Sequence, residues 1–364
     1  MKNRIVVVGG YGHVGKTICR ELGAQYPGLV YAAGRNLASA EKFSRETGGS
    51  VLPMQLDIGD EVAASVFDQV KLVIMCLDQT DTAFVRACFR SGTHYIDVSA
   101  DGRFLNQVEY WTTEAEANDA TAVLSVGLAP GLTNLLARHA HNLLDHTQSL
   151  ELSIMLGLGD QHGKAAIEWT VDNLSVSFPI TQNARQITVD SFTDGKATDF
   201  GAHLGRKRAY RFPFSDQQTL PRTLNVPSVS TRLCFDSKLA TAFMAGLRAT
   251  GTFRFLKFKG IRNATVRGFS KLHFGIDKFA LKVEAHGEKG GRQTTVACLL
   301  QGSDQSQMTA RVASYVADAV YSSKFPHGVY HIDQLFELTS LSDKVLKDAH
   351  IEMFVNGESA IQAY

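Results

Sequence analysis

The sequence predicts an α/β fold: a Rossmann-type doubly wound parallel sheet followed by a second, α+β domain. Three observations carry this. Residues 4–8, Arg-Ile-Val-Val-Val, are too apolar and β-branched for a strand with one wet face, so they read as a strand buried on both faces of a parallel sheet. A glycine turn and an amphipathic helix follow at once. The β–α alternation then persists to about residue 135, and a chain of 364 residues exceeds the usual size of one core.

The turn is Gly10-Tyr11-Gly12-His13-Val14-Gly15, a G-x-G-x-x-G pattern. Val14, Ile18 and Leu22 recur on one helical face, and the helix is expected to end near Gly23. In this setting Gly10 is expected to allow the tight turn, Gly12 to let backbone amides approach a pyrophosphate, and Gly15 to let helix and strand pack closely. The helix N-terminus, at His13 and Val14, faces the phosphates. A dinucleotide cofactor is the expectation. The second strand, 29–33, leads into Gly34-Arg35-Asn36 with no acid where an NAD-binding domain carries one. A carboxylate there would repel a 2′-phosphate, whereas the Arg35 guanidinium grips it and Asn36 adds a donor, which favours NADP. The alternative for Arg35 is a solvated charge.

A third strand over 51–56 is closed by Asp57, placed either as a lid over the adenine or as a cap for a helix after Gly59. A fourth over 71–77 ends at Cys76 and Leu77 and leads into the polar turn Asp78-Gln79-Thr80-Asp81, at a carboxyl end where open α/β sheets bind ligands. A helix over 82–90, a fifth strand over 94–98 ending in Ser99, and a sixth over 121–126 complete the sheet as read from sequence. Cys76, Leu77 and Ser99 join the candidate cofactor-binding residues.

Composition excludes several classes. Hydrophobic residues are 44% and charged residues 20%, ample for cores, and nothing in the net charge of +1 suggests a nucleic-acid or membrane surface, so neither is expected as a partner. No stretch has the length of a membrane span, and Gly9 and Gly10 interrupt the N-terminal apolar run too early for a signal peptide. Five scattered cysteines with no C-x-x-C pair point to reduced thiols in the cytoplasm, with no metal site.

The glycine turn, the turn after Cys76, the run His94-Tyr95-Ile96-Asp97-Val98-Ser99 and Gly127-Leu128-Ala129-Pro130-Gly131-Leu132-Thr133-Asn134 together resemble the saccharopine dehydrogenase family. Later echoes are 163–169 and Pro326-His327-Gly328-Val329-Tyr330. Many relatives keep an acid after the second strand, so Gly34-Arg35 is a departure that favours NADP. The resemblance implies an NADP-dependent oxidoreductase acting on a C–N bond of an amino-acid-like substrate. It also implies a homodimer formed through the second sheet, and a C-terminal segment that returns to the nucleotide domain. The expected domains are 1–127, 128–308 and the returning segment 309–364.

The second half offers strands at 150–156, 280–286 and 294–300 and a helical repeat at Val312, Val316 and Val320. Substrate carboxylates need guanidinium or ammonium partners, for which Arg206, Arg208 and Arg211 are candidates. Trp169 either walls the substrate or packs in a core. Imine reduction asks less of a general acid than ketone reduction, because an imine nitrogen protonates readily. Candidate proton carriers are Asp97, inside its apolar strand, and His162, in a glycine-flanked loop with an ordinary pKa near 6.5. Two other readings stay open. One is a non-catalytic NADP sensor, since the glycines also spell Gly9-x-x-Gly12-x-x-Gly15; the other is a reductase of a simple carbonyl. No tyrosine has a lysine four residues on, which argues against a catalytic short-chain reductase.

Overall fold

The computed structural model describes residues 2–59, 62–160, 163–271, 275–341 and 343–360. The chain divides into two compact units, Met1–Leu132 with Ser306–Phe336, and Thr133–Gln305 with Glu337–Tyr364. The segment after residue 308 is therefore shared between them.

The first unit is a seven-stranded parallel sheet. Its strands are β1 (Arg4–Val8), β2 (Val30–Gly34), β3 (Val51–Gln55), β4 (Val70–Met75), β5 (His94–Asp97) and β6 (Thr121–Leu124), joined by a seventh from late in the chain, β15 (Gly328–His331, fifteenth in chain order). The order is β15-β6-β5-β4-β1-β2-β3. Between strands lie α1 (His13–Gln25), α2 (Leu37–Glu46), α3 (Ala83–Arg90), α4 (Gly102–Glu109) and α5 (Thr112–Ala117). Ile5, Val7 and Val8 of β1 and Leu72, Ile74 and Met75 of β4 are fully buried, as strands covered on both faces require. α1 turns Ile18, Cys19 and Leu22 inward, each apolar side chain contributing about 1.5–3 kcal/mol of burial.

The six-strand reading was one strand short because β15 carries no extended apolar run; only its parallel register with β6 places it. Buried polar bonds fix it there. His331 Nδ1 lies 2.8 Å from Ser125 Oγ and its Nε2 2.9 Å from Glu109 Oε1. The eleventh helix, α11 (Gln305–Ser322), buries Met308, Val312, Val316 and Val320. Its Asp318 accepts from Gln25 Nε2 at 2.7 Å and from the Tyr26 hydroxyl, which sets it beside the end of α1.

The second unit begins with α6 (Thr133–Asn142) and is built on an eight-stranded mixed sheet. In chain order its elements are β7 (His146–Leu156), α7 (Lys164–Asp172), the two-stranded ribbon β8 (Ser177–Gln182) and β9 (Arg185–Asp190), β10 (Lys196–Asp199), β11 (Arg206–Arg211), α8 (Asp216–Thr223), β12 (Val229–Phe235), α9 (Lys238–Ala249), α10 (Lys259–Lys271), β13 (Lys278–Lys289) and β14 (Arg292–Ser303). The strands β16 (His350–Val355) and β17 (Glu358–Ser359) close the order β10-β11-β12-β7-β13-β14-β16-β17. Gly290 and Gly291, at φ +56° and +72°, supply the two left-handed residues that a tight hairpin between β13 and β14 requires. One face of β7 buries Leu150, Leu152 and Ile154. Its other face carries Glu151 and Ser153.

Candidate functional site

The glycine turn is built as the sequence implies, with one reassignment. The left-handed residue is Gly9, at φ +79°, and its carbonyl accepts the Gly12 N–H at 2.8 Å. Gly10 is needed for another reason: a Cβ there would lie 2.7 Å from Val7 O and 2.8 Å from Ala32 Cα. At Gly15 a Cβ would come within 2.2 Å of Gly9 O and 2.8 Å of Gly10 Cα, so α1 approaches the turn after β1 too closely there for any side chain. Gly12 is the exposed N-cap of α1 and has no side chain to cap with. The first-turn amides of α1, beginning at His13 and Val14, are donors with no partner inside the helix, and the helix dipole adds positive potential. An anionic pyrophosphate suits that end.

At the end of β2, Gly34 leaves room for Tyr11, whose hydroxyl oxygen would be 2.4 Å from a Cβ on residue 34. That hydroxyl accepts the Asn36 N–H at 3.0 Å, tying the glycine turn to the β2–α2 corner. Asn36 caps α2 through Oδ1, which accepts Ser39 N–H at 2.9 Å, so its amide group remains as the donor end. Arg35 is exposed beside it, and residues 34–36 contain no acid. We expect Arg35→Ala to lower NADPH affinity about tenfold with little change for NADH, the loss of one charge-assisted contact of about 1–2 kcal/mol. Parallel titrations of both nucleotides check it, and equal losses for the two would remove Arg35 from the site.

Asp57 is exposed and accepts Gly59 N–H at 3.0 Å. Among the described residues that follow, the first helical element is a short 3-10 turn at Ala64–Phe67, so the helix-capping expectation is corrected to a local turn at Gly59. Leu77, at the end of β4, covers Gly9. Cys76 precedes it and is half-buried.

Asp97 ends β5 and is fully buried. Its Oδ2 accepts the Tyr95 hydroxyl at 2.5 Å and its Oδ1 the Ser99 N–H at 2.6 Å. Gln79 Nε2 donates to the Tyr95 oxygen at 2.7 Å, while Gln79 Oε1 is buried with no hydrogen-bond partner. Burial pushes the Asp97 carboxyl up to about 7, against the lowering effect of those two hydrogen bonds. Gln79 was read only as part of a polar turn. The period-2 spacing of Tyr95 and Asp97, which puts both on one face of β5, was the available signal for their pairing. His94, at the far end of the strand, accepts Thr121 N–H at 3.0 Å and is held down at about 4, chiefly by burial. His162 lies outside the described residues.

The second unit does not gather its candidates. Arg206 and Arg208 lie on one face of β11 and Arg211 on the other, because successive side chains alternate. Arg208 is exposed, whereas Arg211 pairs across the sheet with Arg232, and both bond to Asp194, at 2.7 Å and 2.8 Å. Arg211 Nη1 is buried without a hydrogen-bond partner. Arg211, Arg232 and Glu151 line a cavity of about 220 Å³ with Ser230, Thr181 and Asn183. His286 and Lys196 hold the Glu151 carboxyl down at about 2. Neither Glu151 nor Arg232 was singled out from sequence: Glu151 lies inside the strand expected over 150–156, and the strand that carries Arg232, Val229–Phe235, was not read there. Trp169 packs against Phe212 and Phe214, with ring centroids 5.4 Å and 5.2 Å away, in an aromatic cluster.

These features define the first unit as a Rossmann-type dinucleotide-binding domain, with the glycine turn at β1 and the strand ends of β2 and β4 on either side of it. Residues 5–124 match the family model of the saccharopine dehydrogenase NADP binding domain, so the cofactor is NADP and the domain class is that of oxidoreductases. The whole chain is similar in fold to apo saccharopine dehydrogenase (L-Glu forming) from Saccharomyces cerevisiae, at TM-score 0.70 and 14% identity over 97% of this chain and 100% of that one. More distant matches are an amine dehydrogenase from Mycobacterium smegmatis (12% identity, TM-score 0.46, 93% of this chain and 97% of that one) and C. glutamicum DAP dehydrogenase in complex with DAP (14%, 0.45, 92% and 95%). Among the described residues no helix is long and apolar enough to cross a membrane.

Proposed function

We propose that the protein is an NADP-dependent oxidoreductase that reduces an imine of an amino-acid-derived substrate, and that Asp97 handles the proton. The observation that carries this is the carboxyl at the end of β5, buried, held by Tyr95 and the Ser99 amide, and poised at about 7. A group that changes charge near neutral pH serves equally well as donor and acceptor. NADPH, when bound, supplies the hydride. The first-turn amides of α1 hold its pyrophosphate, and Arg35 its 2′-phosphate. Gln79, reaching from the end of β4, orients the Tyr95 hydroxyl and through it Asp97.

NADPH oxidation, followed at the nicotinamide absorbance, is expected to require an amino acid and an aldehyde or keto acid together. Turnover on the carbonyl compound alone would replace this reading with simple carbonyl reduction. Tight NADPH binding without turnover across a broad panel would replace it with a sensor. The homodimer that the family resemblance implies belongs to the same proposal, and light scattering tests it.

A further inference from the structure

Residues 238–271 contain eight Lys or Arg and no Asp or Glu. With the chain as a whole at +1, the remainder carries −7, so the near-neutral total conceals a strongly basic segment. It folds as α9, a 3-10 turn (Thr252–Lys257) and α10, all within the second unit. Of the basic residues, Arg248 pairs with Asp190 and Arg262 with Asp172; Lys238, Arg254, Lys257, Lys259 and Arg267 are exposed.

The same segment carries an unusual share of exposed apolar surface. Leu239, Phe243, Phe255, Phe258 and Ile261 are five of the ten large apolar side chains exposed among the described residues, and Leu239 is 84% exposed. Leu239 and Phe243 are one turn apart on α9, opposite the buried Thr241 and Met244. Phe255 and Phe258 stack on each other, with Arg254 and Lys257 cations over their rings at 5.0 Å and 5.3 Å. Scattered surface apolar residues need no explanation, but a cluster of this kind marks an interaction surface.

We propose that this α9–α10 face binds an anionic lipid surface. Apolar and aromatic side chains standing among exposed cations, with the neighbouring acids Asp190 and Asp172 each engaged by an arginine of the segment, are what a peripheral membrane face requires: rings and Leu239 enter the headgroup boundary while Lys and Arg meet the phosphates. A symmetric contact with a second copy would set these cations against themselves, because a two-fold interface faces its own patch. Nucleic acid would use the charge but leave Leu239, Phe243 and Ile261 against water.

The test is flotation of the full chain with vesicles of phosphatidylcholine alone and of phosphatidylcholine mixed with an equal part of phosphatidylglycerol, at low and high salt. Binding is expected only to the anionic vesicles, and high salt should release it. Lys257→Ala with Lys259→Ala should weaken partitioning about 25-fold, at about fivefold per cation. Leu239→Ser with Phe243→Ser should abolish it, with the circular dichroism spectrum and NADPH affinity unchanged. Failure to bind anionic vesicles at low salt would overturn the proposal. So would equal binding by the variants, or a dimer in light scattering that the Leu239→Ser, Phe243→Ser pair dissolves.

Discussion

Replacing Gly12 by valine is expected to weaken NADPH binding at least about a hundredfold, a loss of about 3 kcal/mol, while leaving the second unit untouched. Gly12 is exposed at the head of α1, where the proposed cofactor's pyrophosphate would approach the first-turn amides. Within the protein a Cβ at residue 12 meets only Gly9 O, at 3.0 Å, a contact that a small shift relieves. Gly15→Ala is the contrasting variant. Its Cβ would press into Gly9 O at 2.2 Å and Gly10 Cα at 2.8 Å, so it should lower the melting temperature as well as the affinity. Calorimetric titration beside thermal melting separates the two. Wild-type NADPH affinity in Gly12→Val would show that the turn is structural only.

The first unit was legible in sequence because its signals are local. A strand buried on both faces, a glycine turn and a helical stripe each lie within one short window, and β1, α1 and β4 formed within a few residues of where they were expected. The exceptions have physical causes. The left-handed glycine is Gly9 rather than Gly10, because backbone conformation and close approach both select glycine and a sequence does not distinguish them. The strand β15 escaped because its register with β6 joins residues some two hundred positions apart. In the second unit the alternation along β11 separates Arg208 from Arg211, while Arg232 arrives from another strand to share Asp194. Charge proximity made by strand pairing leaves no trace in spacing along the chain. The hairpin of β13 and β14 is the opposite case, since Gly290-Gly291 announces it.

The Asp97→Asn variant is expected to trade activity for stability, with a sign that depends on pH. Burial raises the carboxyl from an unfolded value near 3.9 to about 7, so between those values the folded protein holds a proton that the unfolded chain releases. The contribution of Asp97 to stability is therefore fully present below about pH 4 and is lost as pH rises through about 7. Three pH units correspond to about 4 kcal/mol, of which relaxation around the charge will return a part. Asparagine carries no charge to desolvate, and its amide can accept the Ser99 N–H and donate to the Tyr95 oxygen. Asp97→Asn should thus melt several degrees above the wild-type protein at pH 8 and show little difference at pH 4. Its kcat should fall by about 10²–10³ with NADPH affinity unchanged, because the proposed proton handling is lost while the proposed phosphate contacts at α1 and Arg35 are left intact. Melting curves across pH and steady-state rates on the same samples provide the check. A wild-type kcat would assign Asp97 to the fold alone, and a melting difference that shrinks at high pH would mean that the carboxyl is stabilised as its anion.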